Sequence, residues 1–386
     1  MGAKPAKVTR QTFIELGLLL SDNTKPTDID HDLMITLQTE ELYLPLIELS
    51  NQFWLTGALC YRLKKLKIFS QLPHILQQYL NEVSTLYRQR NIDIKQETTD
   101  IHQLLADANI EHILLKGAAS LFNATYPSPA MRYMCDVDIL VNPEQQQQAF
   151  SLLEQYGYQT DEAPYALHSD NHHHAPSLCK PNSMCGIEIH RQGLKAPASE
   201  VLSDTCMWQG AEPLVVRGEL TCWQLNPTDQ AIHCIAHSEI SHFGYRQKHL
   251  DLRQFYHLYR LICHYQQDID WRRVEKHFQL VNQQGLLQAT LQGIALLFNQ
   301  LTPVTRDNSA AKQHIEQRIR IFCQDSKLRQ KWLKLSRILS GYGREQIAFT
   351  YNVSGILGIA KARCRHLMRH VKLLLNSEYR HNFWAE

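Results

Sequence analysis

The segment MRYMCDVDILV at residues 131–141 constrains the fold more than any other, because it reads as a buried strand that carries two aspartates. Side chains alternate between the two faces of a strand, so Asp136 and Asp138 point the same way. The opposite face carries apolar residues that can enter a core: Val137, Ile139 and Val141. Two adjacent carboxylates repel each other unless a cation or a shared proton lies between them. The pattern therefore favours a divalent metal site over a purely structural role.

The composition is that of a globular protein with two or three structural units. The chain has 386 residues, of which 44% are hydrophobic, and it has no run of eighteen apolar residues. The first ten residues, MGAKPAKVTR, lack an apolar signal segment, so we expect a cytoplasmic protein. Ten cysteines without a CxxC pair indicate reduced thiols rather than a disulfide framework.

The periodicity of apolar residues divides the chain into three predicted regions. Residues 1–109 form a helical region, with apolar positions three and four apart from residue 30 onward. Residues 110–225 form a core in which short strands alternate with helices. Residues 226–386 are helical and end in a basic tail. We therefore predict an α+β fold, with a small mixed sheet flanked by amino- and carboxy-terminal helices.

The core begins with two strand-to-helix connections. HILLK at 112–116 is a predicted strand that leads through Gly117 into a helix, AASLFNAT. MCDVDILV is the next strand, and Asn142-Pro143 opens a helix that Gly157 closes. The order is strand, helix, strand, helix.

The second part of the core carries a third carboxylate. Residues 158–185 read as a loop rich in histidine. A strand follows at 186–191, on which Glu188 and His190 share one face. ELTCWQL is a further predicted strand, and Asn226-Pro227 opens the first helix of the last region.

These features fit nucleotidyl transfer. A helix amino terminus presents free N–H groups, so the turn after Gly117 can hold a phosphate. Lys116 and Arg132 are candidates to neutralise triphosphate oxygens. Magnesium prefers hard oxygen ligands and keeps several waters, so two or three carboxylates together with nucleotide phosphates make a sufficient site.

The run LLKGAASLFNATYPSPAMRYMCDVDILV, followed by LLEQYGY, the histidines at 172–174 and IEIHR, resembles the uncharacterised bacterial nucleotidyltransferase family of the DNA polymerase beta-type superfamily. The resemblance covers roughly residues 100–260. It implies a metal-dependent enzyme that moves a nucleoside monophosphate from an NTP to an acceptor and releases pyrophosphate. The implied cofactor is Mg²⁺, with Mn²⁺ as the alternative. The acceptor is a small molecule, a sugar, a protein or an RNA end.

The resemblance also implies roles for individual residues. The implied metal ligands and catalytic residues are Asp136, Asp138 and Glu188. Lys116 and Gly117 are expected at the nucleotide phosphates, together with Arg132 and with Ser120, the nearest hydroxyl. The accessory candidates are four: His174, His190, His237 and Asp251. For His237 and Asp251, hydrogen bonding between the core and the last helices is the favoured interpretation.

Other readings of the same residues remain. A zinc site could draw on His172, His173, His174, Cys179 and Cys185, but their spacing fits no standard pattern. HCIAH at 233–237 lacks the glutamate of HExxH, which disfavours a metalloprotease. The superfamily usually has a Gly-Ser pair where Gly117 precedes Ala118 here, and this motivates a second hypothesis, a nucleotide-binding or regulatory module without turnover.

The charge distribution motivates a third hypothesis. Residues 327–386 hold 12 Lys and Arg against 3 Asp and Glu, whereas the remainder holds 28 against 35. A basic tail of this kind could contact RNA, as in a toxin-like RNA-modifying transferase, or an anionic membrane surface in peripheral association. A solvated basic helix packed on an acidic body is the favoured reading.

Overall fold

The computed structural model describes residues 7–160, 173–218, 220–324 and 353–375. Five helices precede the sheet: α1 (Arg10–Leu20), α2 (His31–Gln38), α3 (Glu40–Gln52), α4 (Thr56–Lys65) and α5 (His74–Asp107). Three helices lie between strands: α6 (Lys116–Ser120), α7 (Gln146–Gln155) and α8 (Asp204–Gln209). The later helices are α9 (Pro227–Ala236), α10 (Gly244–Gln247), α11 (Leu252–Tyr265), α12 (Trp271–Leu280), α13 (Gln284–Phe298), α14 (Ser309–Cys323) and α15 (Gly355–Leu375).

One mixed sheet of seven strands forms the centre of the described residues. The strands are β1 (His112–Leu114), β2 (Asp136–Val141), β3 (Gln159–Thr160), β4 (Leu178–Cys179), β5 (Gly186–His190), β6 (Ala211–Arg217) and β7 (Leu220–Leu225). Their order across the sheet is β3-β4-β5-β2-β1-β7-β6. The strand β2 pairs in parallel with β5 and antiparallel with β1. The α+β class predicted from the sequence is confirmed.

The two faces of β2 enter two different apolar clusters, as strand alternation requires. Val137, Ile139 and Val141 are fully buried in one cluster with residues of α5 and α7. Leu140, on the aspartate face, is buried in a larger cluster that includes residues of α1, α9, α11 and α13. The sheet is therefore covered on both sides, and the aspartates face the side on which the amino- and carboxy-terminal helices pack together.

Several elements differ in length from those predicted from the sequence. The strand predicted at 112–116 ends at Leu114, because Lys116 has a φ of 49° and begins α6. The helix predicted after Gly117 ends at Ser120, and a turn follows in which Asn123 bonds Thr125. The predicted loop at 158–185 contains β3 and β4, which extend the sheet beyond β5. Residues 161–172, including His172, lie outside the described residues.

The strand β6 was missed in the sequence because Pro213 interrupts it. It is an edge strand, where proline is tolerated since no further strand needs its missing N–H. The helix opened by Asn226 is confirmed, with the Asn226 side chain capping Asp229 N. That helix continues into a π-helical turn at His237–Ser241. Within the basic tail, α15 is helical, whereas residues 325–352 and 376–386 lie outside the described residues. No described helix combines the length and the apolar character needed to cross a bilayer.

Two buried histidines link α5 to β1, and they give a pH prediction. The carbonyl of Ile110 can only accept, so His112 donates to it from Nδ1 and accepts at Nε2 from His102 Nδ1, 2.8 Å away. Burial lowers the pKa of His112 to about 4. The neutral ring thus adds stability above the unfolded pKa of about 6.5, and this stability is lost as the pH falls toward 4.

Because of the lowered pKa of His112 alone, we expect the free energy of unfolding to be about 2 kcal/mol lower at pH 5 than at pH 7.5. Urea denaturation of wild type and His112→Gln at both pH values measures this, because the variant lacks the titrating ring. The exposed His31 provides the control variant His31→Gln, which should keep the wild-type pH dependence. An equal fall in wild type and His112→Gln would contradict the assignment.

Candidate metal and nucleotide site

A polar cavity of about 420 Å³ lies between the aspartate face of the sheet and the carboxy-terminal helices. Its walls include nine of the residues singled out in the sequence: Lys116, Arg132, Asp136, Asp138, His174, Glu188, His190, His237 and Asp251. The tertiary structure thus brings together residues that span 136 positions of the sequence, from Lys116 to Asp251. Gly117 and Ser120, the two small candidate residues of α6, lie outside the cavity lining.

The parallel register of β2 and β5 builds the acidic part of the cavity. Asp138 lies beside Glu188, and Leu140 lies beside His190, so Glu188 and His190 share the aspartate face. Among the described residues, one group of three has the spacing to hold a metal ion: Asp138, Glu188 and His190, whose ligand atoms all lie within 4.8 Å of one another. Asp138 is buried, and Glu188 is half-buried.

Lys116 supplies the nearest positive charge to this group. Its Nζ donates to Asp138 Oδ1 at 2.6 Å. Burial alone would lower the pKa of Lys116, but the charges of Asp138 and Asp136 outweigh burial and raise it. Burial alone would likewise raise the pKa of Asp138, yet Lys116 and His190 hold it well below its usual value. The backbone at Lys116 is left-handed, with a φ of 49°, a conformation that is uncommon for a residue other than glycine.

Asp136 differs from Asp138 in its surroundings. It lies at the start of β2, is half-buried and stands outside the group of three. Burial, together with the negative charge of Asp138, raises the pKa of Asp136 to about 6. Lys116 and Arg253 counter this effect only in part. Asp136 is therefore the carboxylate that gains most from an added cation.

His190 stands between the two carboxylates of the group. Its Nε2 is 2.9 Å from Asp138 Oδ1 and 3.2 Å from Glu188 Oε2. Burial would lower the pKa of His190, but both carboxylates outweigh it and raise the pKa. The side chain is almost completely buried, and its Nδ1 has no hydrogen-bond partner among the described residues. His174 adds a second ring, with Nε2 4.0 Å from Glu188.

Of the four nucleotide-binding candidates, Lys116 and Arg132 line the cavity, whereas Gly117 and Ser120 do not. Arg132 reaches the cavity and donates to the Tyr126 hydroxyl at 3.1 Å. Ser120 is buried and donates to the Lys116 carbonyl. Gly117 is buried, and a side chain there would overlap Arg132 and Met134. Gly117 thus provides room for Arg132, which lines the cavity, whereas Gly117 itself does not.

The two accessory candidates from the last region lie on the far wall. His237 opens the π-helical turn, and its Nε2 is 3.2 Å from Nε2 of His242. Asp251 accepts from two backbone N–H groups as the amino-terminal cap of α11. These contacts lie within the carboxy-terminal region, so the hydrogen bonding to the core favoured from the sequence stays a prediction. Both residues line the cavity.

Five residues are of interest among those of the cavity that the sequence did not indicate: Lys195, Glu239, Ser241, Arg253 and Arg318. Arg318 and Glu239 form a fully buried ion pair with two contacts, at 2.7 and 3.1 Å. Arg253 packs over the ring of Trp54. None of the five belongs to a strand of the core, so strand periodicity could not place them. Cys179 and Cys185 form no metal-binding group with the histidines in the described part of the chain, and none of the ten cysteines forms a disulfide.

Comparison with known families adds an independent observation. A family described as uncharacterised nucleotidyltransferase matches residues 43–299, about two thirds of the chain. The chain belongs to this nucleotidyltransferase family. The match includes every candidate residue of the cavity except Arg318. Neither the curated proteins nor the solved structures that were compared contain a match to this chain.

The cavity contains side chains of the kinds that bind divalent metal ions. Two carboxylates and a ring nitrogen converge within ligand distance of one another, and the ring has an unused buried nitrogen. Carboxylate oxygens suit Mg²⁺ and Mn²⁺, and an imidazole nitrogen suits Mn²⁺ better than Mg²⁺. Asp138, Glu188 and His190 offer oxygen and nitrogen ligands, whereas Asp136, Asp138 and Glu188 would offer oxygen ligands alone.

Proposed function

We propose that the protein is a metal-dependent nucleotidyltransferase that transfers a nucleoside monophosphate from an NTP to an acceptor hydroxyl. The oxygen of the acceptor hydroxyl bonds to the α-phosphorus and its proton passes to solvent. The bond between the α-phosphorus and the oxygen that bridges it to the β-phosphorus breaks, and pyrophosphate leaves. The observation that carries the proposal is the convergence of Asp138, Glu188 and His190 in one cavity of a chain that belongs to a nucleotidyltransferase family.

The acidic residues are proposed to hold Mg²⁺ or Mn²⁺. Asp138 and Glu188 would bind the ion, with Asp136 or His190 completing the set. A divalent ion at such a site neutralises triphosphate oxygens and lowers the pKa of an acceptor hydroxyl. The low pKa of Asp138 keeps this carboxylate ionised and ready to bind a cation.

The basic residues of the cavity are proposed to contribute to nucleotide binding. Arg132 is half-buried at the cavity and can neutralise a phosphate, with its orientation fixed by the hydroxyl of Tyr126. Lys116 holds Asp138 in position and adds positive charge beside the acidic group. Gly117 and Ser120 are proposed to support the position of Lys116 from α6. The cytoplasm is the proposed compartment, since the ten cysteines form no disulfide.

Ligand-dependent thermal stability tests this function directly. An NTP at about 100 times its dissociation constant should stabilise the folded state by about 2.7 kcal/mol. For a chain of this length we expect the melting midpoint to rise by about 3 °C. The rise should require Mg²⁺ or Mn²⁺ and disappear in EDTA. It should also be absent in the double variant Asp136→Asn/Asp138→Asn. A metal-independent rise, or none with any NTP, would contradict the proposal.

A second candidate is a nucleotide-binding module without turnover. Its support is the placement of Gly117 and Ser120 outside the cavity walls, so that α6 offers no Gly-Ser grip on a phosphate. Both candidates predict nucleotide binding, but only the first predicts pyrophosphate release. Release measured with a panel of sugar, peptide and RNA acceptors separates them.

A further inference from the structure

Lys195 lies on the cavity wall, in the loop that follows β5. This loop is held firmly at Gly193, whose N–H donates to Asp204 Oδ1 at 2.8 Å and whose carbonyl accepts from His233 Nε2 at 3.0 Å. A side chain at Gly193 would overlap the sulfur of Met207. The carbonyl of Lys195 itself accepts from Ser199 N. The backbone that carries Lys195 is therefore fixed before any ligand arrives.

The ammonium group of Lys195 has no carboxylate partner among the described residues. Lys116, the other lysine of the cavity, uses its charge on Asp138. Burial and the like charge of Lys116 lower the pKa of Lys195. A half-buried cation without a carboxylate partner is costly unless an anion binds there. No described carboxylate of the cavity therefore compensates the positive charge of Lys195.

A second unsatisfied donor lines the same cavity. Ser241, at the end of the π-helical turn, is 5% exposed, and its hydroxyl has no hydrogen-bond partner among the described residues. Ser241 lines the cavity. The short turn Ala198–Glu200, just after Lys195, contacts the π-helical turn. An interruption of this kind in an α-helix is frequent at functional sites, because it re-aims side chains.

We propose that Lys195 and Ser241 form a subsite for the terminal phosphates of the triphosphate donor. This inference rests on the proposed function and names the residues that hold the leaving group. An ammonium and a hydroxyl are donors that suit phosphate oxygens. Lys195 and Lys116 line the same cavity, and Lys116 contacts Asp138, so a triphosphate bound at the acidic group can extend toward Lys195. The charge of pyrophosphate that develops during transfer would be stabilised here.

Inorganic tripolyphosphate with Mn²⁺ is the probe for this subsite, because it lacks base and sugar. Calorimetric titration compares wild type with Lys195→Met, Lys195→Arg and Ser241→Ala. The exposed Lys276 provides the matched control Lys276→Met, which removes the same charge outside the cavity. We expect Lys195→Met to bind the probe about 10- to 100-fold more weakly, Ser241→Ala several-fold more weakly, and Lys195→Arg to recover most of the affinity.

Stability without ligand is the second readout. Lys195→Met should unfold at the wild-type temperature or above it, because an unpaired half-buried charge is removed. A structural role for Lys195 predicts the opposite. Probe binding that is equal in wild type and Lys195→Met overturns the inference and leaves the proposed function intact. If wild type binds neither tripolyphosphate nor any NTP, both the subsite and the proposed function are overturned.

Discussion

Asp138→Asn is expected to reduce nucleotidyl transfer by about a thousand-fold and to destabilise the fold at the same time. The substitution keeps the size of the side chain but removes the charge that binds a cation. Lys116 then loses its counter-ion, and the asparagine oxygen offers only a neutral acceptor to the half-buried ammonium. We expect the free energy of unfolding to fall by about 3 kcal/mol. Pyrophosphate release and urea denaturation measure the two effects.

Asp136→Asn provides the matched comparison on the same face of β2. It should reduce transfer as well, yet leave the protein at least as stable as wild type. Burial and the charge of Asp138 already oppose the ionised form of Asp136, so a neutral side chain removes a repulsion. Two Asn variants two residues apart are thus expected to share a loss of activity and to differ in stability.

A compensating variant isolates the role of Lys116. In Lys116→Met/Asp138→Asn neither charge remains, so stability should return toward wild type while transfer stays lost. Substantial transfer by Asp138→Asn would show that the acidic group is not the catalytic site. Wild-type stability of Asp138→Asn would show that Lys116 does not depend on this carboxylate.

Arg318→Met is expected to cause the largest loss of stability, about 3–5 kcal/mol. The guanidinium of Arg318 and the carboxylate of Glu239 are both almost fully buried, and they meet through two contacts. Arg318 also donates to the carbonyl of His249. Methionine fills a similar volume, so the expected loss comes from a buried Glu239 without a partner. Urea denaturation at pH 7.5 measures it.

The double variant Glu239→Leu/Arg318→Met should recover most of this stability, because replacing both members of a buried ion pair by apolar residues is often neutral. The ion pair of Arg10 with Glu316 is the control on the same helix, α14, with both side chains largely exposed. Arg10→Met should cost less than about 1 kcal/mol. Equal losses for Arg318→Met and Arg10→Met would contradict the argument from burial.

Strand alternation let the sequence predict the acidic part of the site. Val137, Ile139, Ile187 and Ile189 are all fully buried in one cluster, as their positions indicated. The opposite faces of the same two strands carry Asp138 and Glu188, and parallel pairing sets them side by side. A period of two residues is a local property of the chain, so it is readable without knowledge of the fold.

Element lengths and the far wall of the cavity were not predictable in this way. The sequence pattern places Lys116 in a strand, whereas in the structure it has a left-handed backbone, begins α6 and contacts Asp138. Pro213 hides an edge strand. Ser241 and Arg318 belong to helical segments whose periodicity reports only which side faces the core.

The sequence by itself determined the α+β class, the family and the strand faces that carry the carboxylates, since these depend on local periodicity and on a short motif. The tertiary structure decided which side chains meet. It placed His190 between Asp138 and Glu188, and it brought Lys195 and Arg318 to the same cavity. Contacts between residues distant in the chain depend on how helices pack across the sheet, and local sequence patterns carry no information on that packing.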